Sequence, residues 1–305
     1  MANQPHLAVE SIAGQRPYQE DSALAETLAD GRTLIAVADG MGGHAAGEVA
    51  SQLALDTLVE AVRGGQRLDE AFGLANERVH RMAMEPGKQG MGTTLVAIVV
   101  DASDFWVANV GDSRAYLITP QGIRRLTEDH SFVAEAMKRG QSEAEAMATP
   151  WKDALTRSIG TEAEVQADVT GPHALAQDAA LLICSDGLYK TLSDDEIREL
   201  FVRSGGVQGA AQSLIAAAFD AGSDDNISVA IAEYGEVPRD TAPTTMILSY
   251  DPEAAREEER KASEAQAATM AAVDEGAVVA GLPVAAVAAI VVVVGALVAI
   301  LLFGG

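Results

Sequence analysis

Cysteine is nearly missing from this sequence: Cys184 stands alone, so the chain can close no internal disulfide and build no thiolate zinc cluster. Usage this sparse suits a reducing compartment. Basic side chains are also scarce. Against 45 aspartates and glutamates there are 21 lysines and arginines, a formal charge of −24 over 305 residues. A chain so acidic lacks the basic face that gains free energy by releasing counterions from nucleic acid, and its aromatics, 4% of the residues, offer no stacking platform. Nucleic acid is therefore excluded as a partner, and a neutral, cationic or metal-bridged one is expected. Met1–Glu10 has no basic stretch followed by an apolar one, so no cleaved secretion signal is expected. No Gly-Lys-Ser/Thr follows Gly42 and Gly43, which removes the nucleotide-cradling loop, and no Gly-x-Ser-x-Gly elbow surrounds Ser185, which removes a serine nucleophile there.

What the chain does have is a long apolar run at its C-terminal end. From Ala277 to Phe303 no side chain is charged or strongly polar. As a helix this run would reach about 40 Å, enough to cross a hydrocarbon layer of about 30 Å with some tilt. The expectation is one transmembrane helix over 277–303, with Pro283 in its first turns. The preceding stretch, 236–276, holds Pro238, Pro243, Pro252 and the charged run Glu253–Lys261, and reads as an acidic, Pro- and Ala-containing linker. Thr244 and Thr245 there read as solvated spacer or as targets a kinase could reach. Arg256, Arg260 and Lys261 precede the span and nothing basic follows it, which places the N-terminal domain, 1–235, on the cytoplasmic side of a plasma or inner membrane.

Within that domain, short β-branched runs are separated by glycine-containing turns: Leu7–Ile12, Thr33–Ala38, Thr93–Val100, Phe105–Val110, Ala115–Ile118, Ala179–Cys184 and Ile227–Ala232. Helical periodicity marks Ala45–Val62, Leu68–Met84, Phe132–Arg139, Asp194–Val202 and Gln208–Ala221. The short Gly111-Asp112-Ser113 link predicts that the strands on either side of it pair antiparallel. Helices follow one another instead of alternating with strands. That order predicts an α+β fold with packed antiparallel sheets covered by helix pairs, not a doubly wound parallel sheet. Cys184, inside an apolar run, reads as core.

Carboxylates recur where strands end. Asp39 follows Thr33–Ala38, Asp186 follows Ala179–Ser185, Asp225 precedes Ile227–Ala232, and Glu20 and Asp21 close a loop that begins at Gly14. Each Asp-Gly alone reads equally well as a turn. Together they are costly beside buried strands, with too few lysines and arginines to pair them all, and divalent cations would neutralise several at once. An all-oxygen donor set suits Mg²⁺ or Mn²⁺ better than Zn²⁺.

The order of motifs is more specific. Arg16-Pro17-Tyr18-Gln19-Glu20-Asp21-Ser22, Ala38-Asp39-Gly40-Met41-Gly42-Gly43-His44, Gly92-Thr93-Thr94 and Gly111-Asp112-Ser113-Arg114 are followed by Leu126-Thr127-Glu128-Asp129-His130-Ser131, Leu155-Thr156-Arg157, Ser185-Asp186-Gly187 and Asp225-Asn226. In this set the sequence resembles the metal-dependent protein phosphatases (PPM, or protein phosphatase type 2C), particularly the bacterial members. The resemblance implies a four-layer α-β-β-α sandwich with a centre of two Mn²⁺ or Mg²⁺ ions at one end. It makes Asp39 the bridge between the ions, gives Asp186 and Asp225 to the first, and gives Glu20 and the Gly40 carbonyl to the second. It makes Asp21 an acceptor for water at the ions, associates a third, weaker ion with Asp129 and Asp186, has Arg16 orient the phosphate, and lets His44 protonate the leaving alkoxide. The family usually has asparagine where Gln19 stands, a change expected to alter loop packing and not metal binding. The stretch Gln141–Lys152 matches the family's variable flap.

Two readings follow from the resemblance. One is a serine/threonine phosphatase that acts on phosphorylated proteins by a metal-activated water, opposing a bacterial-type Ser/Thr kinase. The other is a catalytically silent, membrane-tethered sensor or scaffold. All the carboxylates a silent relative would be free to lose are present, which favours the first. The apolar run generates its own test: the full-length protein should resist extraction by high salt and alkaline carbonate and leave the membrane only in detergent. Release without detergent would mean that 277–303 does not span.

Overall fold

The computed structural model describes residues 4–42 and 45–239. His44, most of the linker with Thr244 and Thr245, and the apolar run 277–303 lie outside the described residues. In chain order the elements are strands β1 (His6–Ile12), β2 (Asp21–Thr27) and β3 (Thr33–Met41), helices α1 (Ala45–Arg63) and α2 (Leu68–Ala83), then strands β4 (Gly92–Thr93), β5 (Leu95–Asp101), β6 (Asp104–Val110), β7 (Arg114–Thr119) and β8 (Gly122–Arg125). Helices α3 (Phe132–Lys138) and α4 (Glu143–Met147) follow, then β9 (Asp168–Ala174), β10 (Ala179–Cys184), the single-turn α5 (Asp186–Tyr189), α6 (Asp194–Arg203), α7 (Val207–Asp220) and β11 (Ile227–Tyr234).

Five strands form one sheet in the order β1-β11-β10-β7-β8, and a second runs β2-β3-β5-β6-β9 with β4 paired to β3. All pairings are antiparallel. The period of two along each central strand decides which layer each side chain enters. On β3, Leu34, Ala36 and Ala38 pack beneath α1 and α2, while Ile35 and Val37 enter the core between the sheets. On β10, Leu182 and Cys184 pack beneath α7, while Leu181 and Ile183 meet the opposite sheet. Because both faces are covered, these strands read as continuous apolar runs instead of alternating ones. Each large side chain buried in this way contributes about 1.5–3 kcal/mol relative to exposure. The architecture is the predicted α-β-β-α sandwich.

Three findings depart from the sequence reading. Strands β2, β8 and β9 and helices α4 and α5 were not foreseen. The antiparallel pairing expected across Gly111–Ser113 does not form: β6 pairs with β5 and β9, whereas β7 pairs with β10 and β8, so this link crosses from one sheet to the other. Gly111 makes the crossing at φ +107°, where a Cβ would stand 2.6 Å from the Cβ of Thr94. Third, the compact region extends past 235. Val237 is buried in the core beneath α7, and the Arg239 guanidinium clasps Glu233 at 2.7 and 2.8 Å while stacking on Phe201 at 4.1 Å. An apolar side chain and a paired cation hold these four residues on the domain that the sequence reading assigned to linker.

Gly111→Ala should therefore cost about 2 kcal/mol or more in urea unfolding, because left-handed strain and a backbone-fixed clash add. Gly31→Ala, at φ +90° with no atom within 4 Å, should lose about 1 kcal/mol from strain alone. Equal losses at both positions would show that the sheet crossing is not tight.

Candidate metal centre

Every carboxylate singled out in the sequence lies at the same end of the sandwich. The β2–β3 register sets Asp21 directly opposite Asp39. Asp186 opens α5 immediately beyond β10, Asp225 precedes β11 by two residues, and Asp112 sits in the crossing from β6 to β7. Like charges directly opposed across a strand pair are destabilising, and here burial adds to the repulsion. Burial first, then Asp21 and Asp186, push Asp39 well above the usual carboxylate range. Burial likewise raises Asp21 to about 7, against the opposing effect of hydrogen bonds from Ser228 and Ser185. Asp112 is raised to about 7 by burial and Asp186, and Asp225 is raised by the same two causes. The sequence offers Asp112 as a turn residue and within the Gly111-Asp112-Ser113-Arg114 motif, with no site role; its position after a buried strand is the signal that marks it.

Hydroxyls and amides hold the backbone of this end in place. Ser185 Oγ donates to Asp21 Oδ2 at 2.8 Å and accepts from Ser228 N at 3.0 Å, so a residue of one sheet fixes a carboxylate of the other. Asn226 Oδ1 accepts from Glu20 N at 2.8 Å, and its Nδ2 donates to the carbonyls of Ala13 and Tyr18 at 2.9 Å each. Thr94 Oγ1 accepts from Asp39 N at 2.9 Å and shares a hydrogen bond of 2.7 Å with Ser113 Oγ. Gln19 fits the loop through both ends of its amide, with Nε2 donating to Ser11 Oγ at 2.7 Å and Oε1 accepting from Asp21 N at 3.1 Å.

Basic side chains reach several of these carboxylates. Lys190 Nζ is 2.5 Å from Asp186 Oδ2, and Arg16 lies 2.9 Å from Asp225 Oδ2 while its Nε donates to Asp224 O at 2.7 Å. Asp129 is turned to arginines: Arg114 meets it at 2.8 Å, stacked on Tyr189 at 3.5 Å, and Arg125 approaches to 3.6 Å. Among the described residues no three carboxylate, histidine or cysteine side chains already converge on one ion position. The donors nevertheless fit divalent cations. Asp21 Oδ1 and Asp186 Oδ1 are buried oxygens with no hydrogen-bond partner, on residues 6% and 8% exposed. Gly47 is bare where a Cβ would stand against Glu20 Oε1, which leaves that carboxylate its room, and a Cβ at Gly40 would strike the backbone carbonyls of Gly47 and Glu20. Oxygen donors alone, gathered close enough to repel one another, are the surroundings that Mg²⁺ and Mn²⁺ favour.

The sequence model described as Protein phosphatase 2C matches residues 14–227, the stretch that carries all of these carboxylates. The chain belongs to the protein phosphatase 2C family. Similar to it is Protein phosphatase PhpP of Streptococcus pneumoniae, 36% identical over 219 residues, covering 68% of this chain and 87% of that protein. Among solved structures, the serine/threonine phosphatase of S. agalactiae superposes with a TM-score of 0.70 at 31% identity, covering 76% of this chain and all of that one. The catalytic domain of the serine/threonine protein phosphatase PstP in complex with two manganese ions superposes at 0.66 with 33% identity, covering 76% of this chain and 99% of that one.

Within this phosphatase 2C domain the structure brings together Glu20, Asp21, Asp39, Gly40, Asp186 and Asp225, adds Asp112, and sets Arg16 beside Asp225. It engages Asp129 with two guanidiniums at the edge of the cluster. Asp21→Asn, which removes a charge opposite Asp39 and keeps the shape, should raise the thermal midpoint in EDTA by about 2–4 °C, the shift that roughly 1 kcal/mol makes in a domain of this size. The further rise on adding Mn²⁺ should shrink. A lower midpoint in EDTA would show that the Asp21 and Asp39 carboxyls do not repel.

Proposed function

We propose that the chain is a metal-dependent protein serine/threonine phosphatase that hydrolyses phosphoserine and phosphothreonine in proteins without a covalent phosphoenzyme. The observation that carries this reading is the opposed pair Asp21, buried, and Asp39, half-buried, with Asp186, Asp112 and Asp225 in electrostatic reach, a set of charges that the few nearby lysines and arginines do not balance. In this reading Asp39, Asp186 and Asp225 would hold one divalent ion, and Asp39, Glu20 and the Gly40 carbonyl a second. Two such ions, Mn²⁺ or Mg²⁺, supply an activated water and offset the charge that grows on the phosphoryl oxygens.

The chain's own residues would do the rest. Asp21 is fixed through Oδ2 by Ser185, which leaves Oδ1 to accept a hydrogen bond from the attacking water and orient it. Arg16 is about half exposed at the edge of the cluster, and the part of its fork not engaged with Asp224 and Asp225 would bind the phosphate. His44 as the proton donor to the leaving alkoxide rests on the resemblance alone. Anchoring by 277–303 with the domain on the cytoplasmic side, and a partner Ser/Thr kinase, complete the reading. A silent scaffold is not favoured, because such a protein would have no need of an unbalanced buried carboxylate cluster, which only lowers stability.

Asp39→Ala should lower turnover of p-nitrophenyl phosphate and of a phosphothreonine peptide by about 10³-fold or more with Mn²⁺ saturating, while circular dichroism stays unchanged. EDTA should abolish wild-type turnover, and Mn²⁺ should restore it. Near-normal turnover by the variant would overturn the assignment.

A further inference from the structure

Asp186 divides its two carboxylate oxygens. Oδ1 is buried without a hydrogen-bond partner, whereas Oδ2 is held by Lys190 Nζ at 2.5 Å, four residues along the same short helical segment. The ammonium, on a side chain 44% exposed, has further carboxylates as neighbours. It acts on Asp112 as the first opposing influence to the repulsion from Asp186, and it lies 3.7 Å from Asp153 Oδ1, in the segment that follows α4. Burial would discharge this lysine, yet Asp186, Asp112 and Asp153 together hold it firmly protonated. One positive charge thus stands among three carboxylates, on the side of Asp186 away from its unpartnered oxygen.

The resemblance associates a third, weaker metal ion with Asp129, shared with Asp186. In this chain both of those carboxylates already have cations: Lys190 on Asp186, Arg114 and Arg125 on Asp129. We propose that the Lys190 ammonium, 2.5 Å from Asp186 Oδ2 and 3.7 Å from Asp153 Oδ1, fills the place of the third ion, so that this chain takes up two divalent ions and not three. The inference rests on the two-ion reading above. Lys190 is then a positioning residue. It directs Asp186 Oδ1 toward the pair of ions and supplies one fixed charge where a divalent ion would bring two, and through Asp153 the same ammonium ties the flap-side segment to the cluster.

The test counts ions. The full-length protein in detergent, stripped with EDTA, is equilibrated against Mn²⁺ up to millimolar free concentration, and bound metal per chain is measured by atomic absorption, with calorimetry for the affinities. Wild type and Lys190→Arg, which keeps the charge, should bind two ions. Lys190→Met should gain one weaker ion per chain, and adding Asp112→Asn to it should remove that ion again. Lys190→Gln, a second loss of charge at a side chain 44% exposed, should gain the same weaker ion and keeps the count readable if Lys190→Met folds poorly by circular dichroism. Three ions in wild type, or two in both uncharged variants, would overturn this inference and leave the phosphatase reading standing. No bound ions in wild type would overturn the metal-dependent reading and this inference with it.

Discussion

The structure turns on two carboxylates that the backbone forces to face each other. The register of β2 against β3 places Asp21 and Asp39 directly across from one another. Their neighbours do not relieve this repulsion; they prevent the backbone from escaping it. Ser185 binds Asp21 from the other sheet, Asn226 ties down the loop before β2 by three hydrogen bonds, and Thr94 fixes the amide of Asp39. A rigid frame that keeps like charges together stores unfavourable free energy until counterions arrive. The apolar layers above and below supply the stability that tolerates it.

Much of this was legible in the sequence because strands buried on both faces leave a plain trace. Thr33–Ala38 and Ala179–Cys184 are uninterrupted apolar runs, and a carboxylate directly after such a run must lie at a sheet edge. Strands at the margins leave less. β2 carries Asp21, Glu26 and Thr27 around small alanines, β8 is four residues with two arginines, and β9 is almost wholly exposed and contains Gly171 and Pro172. None of these has the burial that makes an apolar pattern necessary. The crossing at Gly111 was misread for a different reason. A three-residue, glycine-led link is compatible with a hairpin, and only the pairing of Leu95 with Val110 and of Cys184 with Arg114, residues far apart in sequence, reveals that the two strands belong to different sheets. Lys190 was visible as an i, i+4 partner of Asp186, but a helix of one turn shows no periodicity to draw notice to the spacing.

In so acidic a chain, where the few cations go is itself informative. Arg16, Arg114, Arg125 and Lys190 all touch carboxylates at or beside the cluster, although most of the negative charge lies elsewhere on the surface. Arg114, 19% exposed, is braced against the Tyr189 ring, and its planar fork suits a carboxylate that remains paired. The ammonium beside Asp186, on a side chain 44% exposed, is a compact point charge and the cation of the set that most nearly resembles an ion.

The same geometry joins the cluster to the segment between α3 and β9. His130, 2% exposed, accepts from the amide of Gly111 through Nδ1 and so donates through Nε2 to Asp168, which Arg157 also holds at 2.6 Å. Burial lowers the His130 pKa, which favours the neutral tautomer that this pair of bonds requires. Immediately beyond it, Ser131 bridges to Leu155 and closes the base of the segment that exposes Met137, Met147 and Trp151. One side of that base is therefore hydrogen-bonded to the residue before Asp112, and the other side, through Asp153, meets the ammonium on Asp186. The segment beside the cluster is thus joined to it at two points of unequal strength, a buried hydrogen bond to Gly111 and a longer, exposed ion pair to Lys190.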